Sequence, residues 1–153
     1  MFDNELRKMY NKFRLHFYMQ ILSNFENREA TLTTVESFSV EAIIILGRPT
    51  VAEFARMMNI SSPNAAYRVN ALKRKGYINK VQSEEDARVF YLEPTERALD
   101  YFRINTSYLD TVLDRAKDRF SKEDYEQFAN YLHIINEELM PELDTSRFKK
   151  KQK

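Results

Sequence analysis

The side chains that could bind a charged partner are concentrated in one acid-free stretch, residues 61–80. Its five cations are Arg68, Lys73, Arg74, Lys75 and Lys80. The wider segment 48–80 carries a net charge of +6, although the whole chain of 153 residues carries only +1. A local excess of cations without carboxylates suits a polyanion. The alternative is a solvated helix face with a chance run of basic residues.

Composition argues against most catalytic and cofactor chemistry. Without cysteine, the chain can form no disulfide, thiolate nucleophile or thiolate metal site. The only two glycines, Gly47 and Gly76, cannot build a GxGxxG dinucleotide loop or a GxxxxGK[ST] phosphate loop. The two histidines, His16 and His133, lie far apart and beside no cluster of carboxylates at ligand spacing. We therefore expect no enzymatic activity, no metal and no cofactor.

Length and hydropathy favour one folded domain in the cytoplasm. A chain of 153 residues with 43% hydrophobic and 31% charged residues can bury a sizeable core. The N-terminus lacks the basic and apolar regions of a signal peptide. The longest aliphatic run, residues 42–46, is far shorter than a membrane span. We expect no membrane partner.

Two capping boxes mark the start of the elements that must position the basic stretch. In Thr33-Thr34-Val35-Glu36 and in Thr50-Val51-Ala52-Glu53, the threonine oxygen and the glutamate carboxylate can satisfy free amides. The helix that the first box opens should end at Gly47. The second helix should be about two turns long and break near Asn59, which tolerates a left-handed conformation.

A further helix and a hairpin should follow. Ser61-Ser62-Pro63 offers hydroxyl caps and a proline at the first helical position, and the helix should run to Gly76. Residues 77–81 and 89–92 are rich in β-branched and aromatic types and are separated by polar residues, which predicts a hairpin. This is the order of elements in a winged helix-turn-helix: two short helices joined by a tight turn, the second of them basic, and then a hairpin.

The second helix of this motif should have an inner and an outer face. Ala65, Val69 and Leu72 lie in one stripe and should pack on Phe54 and Met58. The opposite stripe comprises Pro63, Asn64, Tyr67, Asn70, Ala71 and Arg74, with Arg68 at its flank. Its amide, phenol and guanidinium groups can bind base edges in a major groove. The alternative is an ordinary amphipathic helix with a polar outer face.

Long amphipathic helices should flank the motif on both sides. Apolar residues recur at helical intervals over residues 1–27, 95–120 and 121–141. The first stripe is Leu6, Tyr10, Phe13, Phe17, Ile21 and Phe25. Together the three stripes exceed what a short winged lobe can cover, so we expect a twofold homodimer.

Three motifs resemble those of the MarR family of bacterial transcription regulators. Residues 50–55 (TVAEFA) are similar to the family's T-x-x-E-L-A helix. Residues 69–78 (VNALKRKGYI) are similar to its V-x-x-L-x-x-K-G-[LYW]-[IV] stretch, and Asp86-Ala87-Arg88 matches the D-x-R of its wing. The resemblance extends over nearly the full chain.

The resemblance implies a homodimeric repressor that binds a pseudo-palindromic site on double-stranded DNA. Arg88 would enter the minor groove with its guanidinium oriented by Asp86, because a planar cation suits a narrow, electronegative groove. A solvated turn is the alternative for these two residues. The predicted DNA-binding residues are Ser61, Ser62, Pro63, Asn64, Tyr67, Arg68, Asn70, Arg74, Lys75, Asp86 and Arg88.

The expected architecture is mainly α with a small β-hairpin wing, in a single MarR-like domain over residues 1–153. Residues 33–94 would form the winged helix-turn-helix lobe. Residues 1–32 and 95–145 would be dimerisation helices, and 146–153 a frayed basic tail. The two recognition helices of the dimer would lie about one DNA turn, roughly 34 Å, apart.

The chain makes three departures from the family pattern. Ala66-Tyr67 stands where members often have Ser-Arg, and Ala87 stands where arginine is common. One usual base-contacting arginine is therefore absent, and either Tyr67 or Arg68 is left to replace it. Ala98 stands where glycine is frequent, which should be harmless because alanine is the better helix former.

Two further expectations concern control and an alternative function. The resemblance implies that a small-molecule effector can change DNA affinity by binding between the dimerisation helices and the winged lobe. Tyr10, His16, Tyr18 and Phe38 are candidates for such a cleft, with plain core or interface as the alternative. The competing function is a winged-helix protein-protein interaction module that binds no DNA and uses the acidic region 93–145, with a net charge of −7.

Overall fold

Six helices and one two-stranded hairpin make up the described part of the protein. The computed structural model describes residues 1–26 and 31–145, without the side chains of residues 24–26 and 105. The predicted basic tail at 146–153 and the side chain of Phe25 lie outside the described residues. In chain order the elements are α1 (Phe2–Glu26), α2 (Thr34–Leu46), α3 (Val51–Met57), α4 (Ser62–Arg74), β1 (Ile78–Gln82), β2 (Phe90–Pro94), α5 (Glu96–Arg119) and α6 (Lys122–Glu138). This confirms the predicted architecture, mainly α with a small hairpin.

Both predicted capping boxes are present. The Thr33 hydroxyl accepts a hydrogen bond from the Glu36 amide at 3.3 Å, and the Glu36 carboxylate accepts one from the Thr33 amide at 2.7 Å. Thr50 and Glu53 repeat the arrangement at the start of α3. The helix α2 ends at Gly47, which adopts a left-handed φ of 63°.

The turn between α3 and α4 is set by short polar residues, as the sequence predicts. Asn59 has a φ of 51° and turns the chain out of α3. Ser61 then caps α4, its hydroxyl accepting a hydrogen bond from the Asn64 amide at 3.4 Å, and Pro63 lies in the first turn. The helix-turn-helix therefore follows from local signals.

The core of the winged lobe lies between α2, α3, α4, the hairpin and the start of α5. Its fully buried side chains include Val40, Ile43, Phe54, Ala65, Val69, Leu72, Ile78 and Leu92. Met58 is partly buried and packs against this cluster. The predicted inner stripe of α4 is thus confirmed.

One residue of the predicted outer stripe is misplaced. Ala71 is buried rather than exposed. The helix α4 packs against α2 as well as against α3, so its buried arc is wider than a contact with one helix predicts. Ala71 therefore lies away from the surface that a partner could touch.

The hairpin is antiparallel, with Ile78 opposite Pro94 and Gln82 opposite Phe90. Its strands lie one residue later than predicted at the start of each. An isolated bridge between Thr50 and Tyr91 joins the hairpin to the start of α3. The wing is thereby tied to the helix-turn-helix.

The long helices extend away from the lobe with much of their apolar surface uncovered. The helix α1 packs along α5, where the Phe13 and Tyr108 rings meet edge-on at 5.8 Å. Ser121 caps α6, which contains no buried residue and ends before Pro141. Within residues 1–26 and 31–145, no helix is both long and apolar enough to cross a membrane.

Candidate nucleic-acid interface

The outer face of α4 presents polar side chains with no partner inside the described part of the chain. Tyr67 is 71% exposed, and Asn70 and Arg74 are exposed beside it. These three residues fall within about 60° of one another at 100° per residue. Among the hydrogen bonds of the described residues, none uses their side chains, so the phenol, amide and guanidinium groups are all free to bind another molecule.

The first turn of α4 adds a second exposed patch. Ser61, Ser62, Pro63 and Asn64 are all exposed. The Ser61 hydroxyl satisfies one backbone amide of this turn, that of Asn64. The remaining free amides of a helix start, together with the positive end of the helix dipole, favour an anion such as a phosphate. The predicted helix-borne residues are thus brought to one end and one side of α4.

The wing holds an arginine in a fixed direction. Nε and Nη2 of Arg88 donate to the two carboxylate oxygens of Asp86 at 3.1 and 3.2 Å. The Arg88 amide donates to the same carboxylate at 2.9 Å. Hydrogen bonds from the side chain and then the backbone of Arg88 lower the pKa of Asp86 below its ordinary value. Asp86 therefore stays ionised and orients a guanidinium whose side chain is 91% exposed.

A groove connects the wing to the helix-turn-helix. It has a volume of about 370 Å³, and its walls include Ser62 at the start of α4 and Arg88 and Lys80 on the hairpin. The ammonium of Lys80 lies 4.3 Å from the centre of the Phe90 ring, which holds this cation at the groove. Lys80 belongs to the acid-free basic stretch, but the sequence did not single it out as a site residue.

Two of the predicted DNA-binding residues, Arg68 and Lys75, are less available to a partner than the others. Arg68 is only partly exposed, at the flank of the outer face. Lys75 donates to the Glu36 carboxylate and to the backbone oxygen of Thr31, both at 2.7 Å. Its ammonium is therefore committed within the protein, where it fixes the end of α4 to the start of α2.

The Lys75 ion pair is part of a small polar cluster that the sequence did not reveal. Burial is the largest single effect on Glu36 and opposes its ionisation, yet hydrogen bonds from Lys75 and Thr33 together lower its pKa. Nη1 of Arg97 on α5 donates to the backbone oxygen of Lys75 at 2.9 Å. The Arg97 guanidinium also lies 4.7 Å from the centre of the Tyr77 ring. The cluster joins α2, α4 and α5 around the C-terminal end of α4.

The four candidates for an effector cleft are only partly brought together. His16 stacks on Tyr108 with ring centres 4.1 Å apart, and Phe17 lies 6.2 Å from Phe38. Tyr18 accepts a hydrogen bond from Arg14, and Tyr10 is exposed. The ring contacts of His16 and Phe38 lie where α1 meets α5 and α2, respectively.

A model of the MarR family matches residues 45–90, the segment from the end of α2 to the first residue of β2. This segment of the winged lobe is similar to the MarR family. Members of this family are DNA-binding transcriptional regulators, and the match contains α3, α4 and the Asp86–Arg88 wing contact. No curated protein matches the chain at the sequence level.

Solved structures of the same fold cover about nine tenths of this chain, more than the lobe alone. A mutant of MepR from a multidrug-resistant Staphylococcus aureus isolate is similar with a TM-score of 0.64 and 16% identity, covering 92% of this chain and 98% of its own. A MarR family protein from Bacillus stearothermophilus gives 0.63 and 15% identity, covering 90% and 92%. FabT from Streptococcus pneumoniae, solved in complex with DNA, gives 0.57 and 19% identity, covering 93% and 97%. The terminal helices thus belong to the MarR-type fold together with the lobe.

Proposed function

We propose that this protein is a homodimeric, sequence-specific regulator of transcription that binds double-stranded DNA and acts as a repressor. The observation that carries the proposal is the groove shared by the start of α4 and the wing. Ser62 and Arg88 line one concavity, so the exposed helix start and the oriented guanidinium are available to the same ligand. In a DNA duplex, the major groove can hold a helix and the adjacent minor groove can hold an arginine side chain. The start of α4 and Arg88 could therefore contact one duplex together.

The proposed DNA-contacting residues are those of the α4 outer face, its first turn and the wing. Asn64, Tyr67 and Asn70 would approach base edges, while Arg68, Arg74 and Lys80 would contact phosphates. Arg88 would enter the minor groove. Lys75 would act by fixing the position of α4, since its ammonium is held by Glu36. Two proteins of this fold were solved with nucleic acid, FabT in complex with DNA and a mutant MepR bound to an oligodeoxyribonucleotide, which supports the proposal that this chain binds DNA.

We place the dimer interface on the apolar surface between α1 and α6. A groove of about 630 Å³ lies there and is lined by Phe2, Leu6, Met9, Phe128, Tyr131, Leu132, Ile134, Ile135 and Leu139, with Glu5 as the one charged residue. Leu139 is 67% exposed and no residue of α6 is buried. Covering each such side chain would contribute about 1.5–3 kcal/mol, so a second copy of the chain is the occupant we propose.

Control by an effector would act where α1 meets α2 and α5. A ligand that separates His16 from Tyr108 or Phe17 from Phe38 would tilt the long helices against the lobe and change the distance between the two recognition helices. The test is a screen for compounds that raise the melting temperature and lower DNA affinity together. The Phe38→Ala variant should lose both responses to a true effector of this site.

A salt titration with a labelled random duplex tests DNA binding itself. Neutralising about six to ten phosphates predicts that affinity falls by about 10³–10⁵ between 50 and 200 mM salt. Absence of duplex binding even in dilute salt would contradict the proposal and favour a protein-binding role for the acidic helices.

A further inference from the structure

The outer face of α4 has a chemical composition that favours particular bases. Its two exposed residues nearest the middle of the helix are Tyr67 and Asn70, an aromatic ring and an amide. No carboxylate, which would accept from cytosine, lies on this face. Arginine, the usual partner of guanine, occurs there only as Arg74 in the last turn.

Arg74 is poorly placed for base recognition. A recognition helix contacts base edges mainly with its N-terminal residues, while its far end approaches the sugar-phosphate backbone. Arg68, at the flank, is only partly exposed. Both guanidinium groups therefore suit phosphates, and the bases are left to the uncharged Asn64, Tyr67 and Asn70, of which the last two lie nearest the middle of the helix.

The amide of Asn70 matches adenine. An amide offers one donor and one acceptor side by side, and adenine presents an acceptor at N7 and a donor at N6 in the major groove. Because no hydrogen bond within the described residues occupies the Asn70 side chain, both groups are available. The match with guanine is poor, because guanine presents two acceptors there.

The ring of Tyr67 matches the methyl group of thymine. Its neighbour Ala66 is small, so the helix can approach the groove closely, and the exposed ring is the only large apolar surface on this face of α4. Tyr67 and Asn70 are three residues apart, which is about 4.5 Å along the helix axis. Successive base pairs are about 3.4 Å apart, so the two side chains would meet neighbouring base pairs.

We propose that Tyr67 and Asn70 determine an A·T-rich core in each half-site, with Asn70 binding N6 and N7 of an adenine and Tyr67 packing on the C5 methyl of a thymine in the adjacent base pair. This rests on the proposed DNA binding of α4. It also explains how α4 could recognise a DNA sequence although it has Ala66-Tyr67 where the Ser-Arg pair is common in the family.

The test starts from a half-site selected out of a random duplex pool with the full-length protein. Single positions of that site are then replaced by 7-deazaadenine, which lacks the N7 acceptor, or by deoxyuridine, which lacks only the methyl group of thymine. Affinities are measured for the wild type, Asn70→Ala, Tyr67→Phe and Tyr67→Ala. Asn79→Ala, which removes an exposed amide from the base of the hairpin, is the matched control. Because Tyr67 and Asn70 are exposed, circular dichroism should show that the variants fold.

The expected result is specific to single atoms. One 7-deazaadenine should weaken wild-type binding by about 5- to 150-fold and leave Asn70→Ala unaffected. One deoxyuridine should weaken the wild type and Tyr67→Phe by about fourfold, and leave Tyr67→Ala unaffected. Asn79→Ala should respond like the wild type to both substitutions.

Four results would overturn all or part of the inference, and they can be told apart. Specific binding to a half-site with G·C pairs at these positions, or indifference of the wild type to both base analogues, would refute this assignment and leave DNA binding in place. If Tyr67→Phe lost affinity equally for the normal and the deoxyuridine duplexes, the tyrosine hydroxyl would be contacting a phosphate, and the methyl contact would be refuted. Failure to bind any duplex would refute the inference together with the proposed function.

Discussion

Asp86 and Arg88 form a two-point ion pair at the tip of the wing, with Nε and Nη2 of the arginine 3.1 and 3.2 Å from the two carboxylate oxygens. The pair is exposed, so it contributes little to folding. The ion pair restricts the direction of the Arg88 guanidinium, which would otherwise sample many rotamers. A fixed guanidinium loses less entropy when it enters a narrow groove.

The first prediction separates this orienting role from simple charge. Arg88→Ala should weaken operator binding by about 1–3 kcal/mol because it removes the groove contact. Asp86→Ala should also weaken binding, even though it removes a negative charge from the surface that we propose faces DNA. Fluorescence anisotropy with a labelled operator measures both variants.

The matched control for Asp86→Ala is Glu85→Ala, which removes an exposed carboxylate from the same turn. This change should leave affinity unchanged or raise it slightly, because less negative charge faces the phosphates. Equal gains in affinity for Asp86→Ala and Glu85→Ala would mean that Asp86 does not orient Arg88.

The second prediction concerns the dimer. Leu132→Glu and Ile135→Glu each place a charge in the apolar groove between α1 and α6, and should convert dimer to monomer at micromolar concentration. Asn130→Glu adds the same charge on the opposite side of α6 and should leave the dimer intact. Sedimentation velocity measures the association state, and circular dichroism verifies the helix content. Monomers for all three variants, or dimers for all three, would exclude this groove as the interface.

The third prediction concerns the core that supports α4. Leu72 is fully buried, so Leu72→Ala should lower the free energy of unfolding by about 2–5 kcal/mol through lost burial and a cavity. Lys73→Ala, at the exposed neighbouring position, should change it by less than about 0.5 kcal/mol. Urea unfolding at fixed protein concentration measures both. A similar small effect for Leu72→Ala would contradict the packing of α4 against α2 and α3.

The fourth prediction is a pH dependence that comes from Glu36. Its pKa is lowered in the folded protein, so between the folded and unfolded pKa values the unfolded chain binds more protons. The contribution of Glu36 to stability is therefore fully present above the ordinary glutamate pKa of about 4.3. It is lost as the pH falls through the folded value.

The Glu36→Gln variant should reveal this contribution. At neutral pH it should be less stable than the wild type, and the difference should shrink as the pH falls below about 5, as urea unfolding can measure. Glu85→Gln, at the exposed tip of the wing, is the control variant and should change the stability at neutral pH by less than about 0.5 kcal/mol. A constant difference between Glu36→Gln and the wild type from about pH 3.5 to 7 would contradict the role of the ion pair with Lys75.

Local signals in the sequence were sufficient to predict the helix starts and the order of elements. The two threonine-glutamate boxes, Gly47 and Asn59 act through contacts within a few residues, so their effects can be read without knowing the fold. The inner stripe of α4 was predictable for the same reason. It depends only on helical periodicity.

Contacts between distant residues account for what the sequence did not reveal. Arg48 adopts a φ of 68°, unusual for a residue with a side chain, and is held by an ion pair with Glu93 and by the ring of Tyr91. These partners are more than 40 residues away in sequence. The burial of Ala71 and the pairing of Lys75 with Glu36 likewise depend on how α2 packs against α4.

The most direct test of the proposed function is a spacing series on one duplex. Two inverted copies of the selected half-site are placed at centre-to-centre distances from about 8 to 16 base pairs, and the protein's affinity is measured for each. A rigid dimer with two recognition helices predicts a single maximum near one helical turn, about 10 base pairs, and a loss of tenfold or more about five base pairs away. Affinity that does not depend on spacing, or a single half-site bound as tightly as the pair, would contradict it.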